Sequence, residues 1–115
     1  VRNLLGLDAS RKRLANGDYV ETDQSILFCR RDVQTAHEDL LRMLDHIQSD
    51  LAGPPRGGLY FSCLGRGERL FGRRSAELSI ISERLGDVPL AGFFCNGEIA
   101  HDRLYGYTGV LLLFT

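Results

Sequence analysis

The sequence predicts an α/β (α+β) domain: a mixed, mainly antiparallel β-sheet with two helices packed on it, in the order β-β-β-β-α-β-α-β-β. Three observations carry that expectation. From Val33 to Leu51, apolar residues recur at steps of three and four, the period of an amphipathic helix. Leu59 to Leu64 is a short apolar run with glycine on both sides, the profile of a buried strand. Leu90 to Cys95 and Tyr107 to Phe114 repeat that profile further along the chain.

Length and composition narrow the class. A chain of 115 residues fits one domain, spanning 1–115, and such a domain buries about two-thirds of its unfolded surface. Its 43% hydrophobic and 25% charged residues are ordinary for a globular protein. A formal net charge of −1 argues against nucleic acid or an anionic membrane surface as partner. No apolar run approaches the ~20 residues of a membrane span, and no signal-peptide pattern opens the chain. The chain begins at Val1, already inside an apolar stretch, and so reads as a fragment of a longer protein. Cys29, Cys63 and Cys95 have neither an even count nor CxxC spacing, and are expected as reduced, buried or half-buried thiols. His37, His46 and His101 are scattered, so no metal site and no cofactor is expected.

Taken in order, Arg2 to Leu7 reads as a first strand. Asn16-Gly17-Asp18 is a turn signal, predicting a small hairpin between Arg13-Leu14-Ala15 and Tyr19-Val20. Ser25 to Arg30 follows as a strand covered on both faces. Asp32 suits a helix N-cap, and the stripe Val33, Ala36, Leu40, Leu44, Ile47, Leu51 marks the long helix, leaving His37 and His46 toward solvent. Gly53-Pro54-Pro55 ends it. After the Leu59–Leu64 strand, Arg73 to Leu85 reads as the second helix, with Ser75 as N-cap, Leu78, Ile81 and Leu85 as its apolar stripe and Gly86 as its stop. In the Leu90–Cys95 strand, Gly92 suggests a close backbone approach. Residues 100 to 106 read as a polar connection before the last strand. The strand at 25–30, the long helix and the central strand suggest a right-handed crossover, and the final two strands an antiparallel pair.

Two loops carry the chemistry. Gly65-Arg66-Gly67 leaves one guanidinium among bare backbone amides at the end of an apolar strand, a setting suited to an anionic group. Asn96-Gly97-Glu98 repeats the plan with the opposite charge. If the strands ending at Cys63 and Cys95 are neighbours, Arg66 with the amides of Gly65 and Gly67 could hold a carboxylate. Glu98, with Asn96, could then hold an ammonium, matching a zwitterion such as a free amino acid. The plainer reading is that Arg66 and Glu98 pair with each other and only tie two loops together. Cys63 and Cys95 flank the same place, but His101 is the only nearby base, and cysteine is commonly a small apolar filler. The aromatics Tyr60, Phe61, Phe93, Phe94, Tyr105 and Tyr107 fall in apolar strands and read as core.

These motifs bring a resemblance into view. The chain resembles the C-terminal half of the FIST sensory domain of bacterial signal-transduction proteins and an animal F-box protein. The resemblance runs from Val1-Arg2-Asn3-Leu4-Leu5-Gly6 through Phe28-Cys29-Arg30-Arg31-Asp32 to Ser62-Cys63-Leu64-Gly65-Arg66-Gly67. It continues in Leu90-Ala91-Gly92-Phe93-Phe94-Cys95-Asn96-Gly97-Glu98-Ile99 and Leu104-Tyr105-Gly106-Tyr107-Thr108-Gly109-Val110. It implies a non-catalytic, cytoplasmic input domain that binds small ligands such as amino acids and is normally preceded by a FIST N-terminal half. With the chemical argument, the expected ligand-binding residues are Cys63, Gly65, Arg66, Gly67, Asn96 and Glu98. A second reading is a protein-interaction or homodimerisation module, which predicts a contiguous apolar surface patch. A third is an enzyme dependent on a reactive thiolate at Cys63.

Overall fold

A computed structural model describes residues 2–115 and confirms the α+β class. The chain divides into two compact units, the first ending at Arg30 and the second running from Arg31 to Thr115.

The first unit is built on a hairpin. Strand β1 (Leu4–Asp8) pairs antiparallel with β2 (Arg13–Asn16), with Leu7 opposite Leu14 and Asp8 opposite Arg13. Asp8 organises the turn: its carboxylate accepts from the Ser10 hydroxyl at 2.6 Å and the Arg11 amide at 3.0 Å. Those donors, the Ser10 hydroxyl foremost, hold the Asp8 carboxyl below its ordinary pKa. The hairpin expected between residues 13–15 and 19–20 does not form. Asn16 instead accepts from the Asp18 amide at 2.8 Å, a local Asx turn, and the Gly17 amide donates to the Asn3 carbonyl at 3.2 Å. The strand expected at Ser25–Arg30 is also absent, and Ile26, Leu27 and Phe28 are exposed. No strand among the described residues pairs with it, and an apolar run without a ladder partner has nothing to hold it extended. Cys29 shares that exposure, so it is neither buried nor half-buried as expected.

The second unit starts with helix α1 (Val33–Asp50), where the Asp32 carboxylate accepts from the Thr35 amide at 3.1 Å. Leu44 is its buried anchor, flanked by Leu40, Leu41 and Leu51. Strand β3 (Gly57–Cys63) follows, then a one-turn helix α2 (Gly67–Phe71), helix α3 (Ala76–Leu85) and strand β4 (Leu90–Cys95). A short antiparallel hairpin, β5 (Glu98–Ala100) and β6 (Arg103–Tyr105), occupies the stretch expected as a plain connection. Strands of three residues are too short to leave a period in the sequence. The last strand is β7 (Gly109–Phe114).

The sheet of this unit has the order β4-β3-β7. β3 is central, parallel to β4 and antiparallel to β7, so the last two long strands do not pair with each other as expected. The crossover is β3–α2–α3–β4, whereas the expectation placed it before β3. The core gathers Leu44, Tyr60, Ile80, Ile81 and Leu85 between the helices and one sheet face. On α3 the expected stripe holds at Ile81 and Leu85, both buried, and fails at its first member. Leu78 is exposed and Glu77 is buried. At the predicted N-cap, Ser75 makes no side-chain cap bond. Gly92 is required where it stands, because a Cβ there would collide with the Tyr60 carbonyl oxygen.

Candidate functional site

The site grows from the end of β3. Cys63 and Cys95 are register partners on neighbouring parallel strands, so the Gly-Arg-Gly and Asn-Gly-Glu loops leave the sheet at the same end. The first loop turns sharply, with the Arg66 amide donating to the Cys63 carbonyl at 2.8 Å. It is held from outside by Arg31, whose Nη1 donates to the Gly65 carbonyl at 2.8 Å and whose guanidinium lies 4.6 Å over the Tyr107 ring. Tyr107 adopts a left-handed φ of 63° and stacks so closely that a Cβ on Gly65 would sit 2.6 Å from its ring. Glycine at 65 is thus a packing requirement.

Arg66 turns inward. Its Nε donates to Glu77 Oε1 at 2.7 Å, and only 13% of its side chain is exposed. Glu77, 4% exposed, is the hub of a buried network. Oε1 also accepts from the Tyr60 hydroxyl at 2.7 Å, and Oε2 from the Ser62 hydroxyl at 2.8 Å and, more weakly, the Gly67 amide at 3.4 Å. Burial, and next the Glu77 charge, raise the Tyr60 hydroxyl well above the ordinary tyrosine range. A carboxylate taken out of water is tolerated only with such a full set of donors.

The Arg66 terminal nitrogens have no hydrogen-bond partner among the described residues. Arg66 lines a cavity of about 280 Å³ together with Tyr60, Met43, Asp39, Tyr107 and Thr108. A larger cavity of about 420 Å³ lies against β4 and α3, bordered by Leu78, Leu90, Phe93 and Phe94. Its charged lining residue is Glu77, whose oxygens are already engaged.

Glu98, at the start of β5, is 3% exposed and is held differently. Thr108 Oγ1 donates to its Oε2 at 2.6 Å, and the Cys95 thiol to its Oε1 at 3.4 Å. Burial, then the Glu98 carboxylate, pushes the Cys95 thiol up from its ordinary value. Cys63 is buried and Cys95 half-buried, both unpaired, while Asn96 and His101 are exposed.

The register thus brings the two charged loops to one end of the sheet, but it does not join the charges. The expected alternative of an Arg66–Glu98 pair is replaced by Arg66 with Glu77, while Glu98 bonds to Thr108 and Cys95. Sequence reasoning missed Glu77, Ser62 and Thr108. A glutamate in a first helical turn ordinarily faces solvent. The signal was its spacing, since Glu77, Ile81 and Leu85 stand four apart on one face. Among the described residues no cluster of three or more His, Cys, Asp or Glu could hold a metal, and no helix is long and apolar enough to cross a membrane.

A sheet of this order, with the Gly-Arg-Gly and Gly-Glu loops at one end, is the setting in which the comparisons with known proteins fall. The chain belongs to the FIST C domain family, whose profile matches residues 1–101. The FIST C domain is associated with signal-transduction sensory proteins. An uncharacterized protein of Mycobacterium tuberculosis is 41% identical over 118 residues, covering 99% of this chain and 31% of the relative. An uncharacterized protein of Mycobacterium bovis is 37% identical over 118 residues with the same coverages. The chain therefore spans about a third of the length of these curated relatives.

Proposed function

We propose that this chain forms part of a non-catalytic, cytoplasmic sensory domain that binds a small carboxylate-bearing ligand such as an amino acid. The observation that carries the reading is Arg66: Nε committed to Glu77, terminal nitrogens uncommitted, and the side chain lining a cavity of about 280 Å³. A guanidinium anchored through Nε keeps its outer edge free for a carboxylate, which it can bind bidentately. Glu77 also compensates the Arg66 charge, so a ligand of low net charge suits the site better than a multiply charged phosphate. Glu98 and Asn96, assigned to the ammonium end, lie outside the cavity lining, and Thr108 links Glu98 to the cavity by lining the one and bonding to the other. Cys63, Gly65 and Gly67 shape the loop around Arg66. Support for a non-catalytic role comes from the raised Cys95 thiol, which is a poor source of thiolate, and from the burial of Cys63, which keeps it from a substrate.

Thermal-shift and calorimetric titration of the full-length protein with individual amino acids tests this. At least one amino acid should raise the melting temperature, and Met43→Trp, which narrows the cavity without touching the ion pair, should remove that rise. A panel with no stabilising amino acid, or a shift that survives Met43→Trp unchanged, overturns the reading.

A further inference from the structure

The sheet of the second unit has two unlike faces. Helices α1 and α3 cover the face that carries Tyr60, Leu111 and Leu113. Alternation along the strands places Leu59 and Phe61 of β3 on the other face, and the register sets Phe93 of β4 beside Phe61 and Val110 and Leu112 of β7 beside Phe61 and Leu59. Phe114, two residues past Leu112, joins the same face. The Phe61 and Phe93 rings meet edge to face with centroids 5.1 Å apart. Yet Phe93 is 65% exposed, Leu112 50% and Phe114 51%.

A solvated sheet face alternates polar side chains outward, and this one carries none of them at these positions. A patch of three aromatics and three aliphatics across three strands is the composition of a sheet buried on both sides. Its lack of charge excludes an electrostatic partner such as nucleic acid.

We propose that this face is the docking surface for an apolar layer supplied by the rest of the same polypeptide. The chain spans 31% of its curated relatives, so roughly two-thirds of such a protein is chain that must pack somewhere. A covalently linked layer competes at an effective concentration of about millimolar, well above that of a second molecule in solution. The proposal is independent of the ligand reading, since the Arg66 cavity borders the helix-covered face.

Hydroxyl-radical footprinting of the full-length protein, with its mass followed by sedimentation over a dilution series, tests it. Normalised for intrinsic reactivity, Phe93, Leu112 and Phe114 should lose reactivity to the level of the core residues Leu44 and Ile81, and keep that protection in the monomer. Reactivity at the level of the unfolded chain overturns the proposal, because the face is then open to water. Protection that vanishes as the protein dissociates overturns it too, because a second copy is then the cover.

Discussion

Glu77 and Glu98 are two glutamates of nearly equal burial, 4% and 3% exposed, held in opposite ways. Glu77 receives a guanidinium, two hydroxyls and an amide, so its charge is met within the fold. Glu98 receives one hydroxyl and one thiol, neither of them charged. The first arrangement spends its charge on tying α3 to β3 and the Gly-Arg-Gly loop. The second leaves a buried carboxylate with no cation among the described residues, which is the feature a ligand's ammonium could answer. Depth alone therefore does not tell how a carboxylate's charge is met; the partners do.

The largest effect should come from breaking the Glu77 network. Glu77→Ala strands the Arg66 cation and two hydroxyls, and denaturant unfolding should show a loss of about 3–5 kcal/mol. Tyr60→Phe removes one donor from the same carboxylate, for an expected loss of about 1–3 kcal/mol by the same measurement. Glu98→Gln keeps the shape and the Thr108 contact while removing the charge. Its stability cost should be about 1 kcal/mol or less, and amino acid affinity should fall far more than stability. If Glu98→Gln instead costs as much as Glu77→Ala, the two carboxylates are alike and the contrast fails.

A finer probe uses the thiol. Because Glu98 helps hold the Cys95 thiol up, Glu98→Gln should speed alkylation of Cys95 at neutral pH, read by mass spectrometry against the exposed Cys29. The smallest effect concerns a carboxylate with neither kind of burial. The folded-state pKa of Asp8 is depressed, so its contribution is present above the unfolded pKa and is lost as pH falls through the folded value. Asp8→Asn should flatten that acid-side slope of the unfolding curve, with a small loss of stability at neutral pH and none below the folded pKa.

Much of the fold was legible where local signals and burial agree. Asp32 caps α1 as its spacing implied, Leu44 is the anchor of the predicted stripe, and the apolar runs at 57–63, 90–95 and 109–114 are strands. The failures sit where local patterns have more than one partner. Asn16-Gly17 reads as a hairpin turn, but the Asp8 side chain won that role for residues 9–12. Residues 25–30 have strand composition without a strand beside them. On α3 the stripe keeps Ile81 and Leu85, but Glu77 rather than Leu78 is buried in the first turn, where Tyr60, Ser62 and Arg66 donate to its carboxylate.

By itself the sequence determined the α+β class, the long helix and its cap, the three long strands, and the two charged loops, because capping and hydrophobic period act within a few residues. It also carried the family resemblance that the FIST C domain match bears out. Only the tertiary structure decided which charge meets which. Strand order put β3 between β4 and β7 and set the two loops at one end of the sheet. Packing of α3 then delivered Glu77 to Arg66 and left Glu98 to Thr108. Ion pairing and burial depend on distances between segments far apart in the chain, and spacing along a sequence does not encode them.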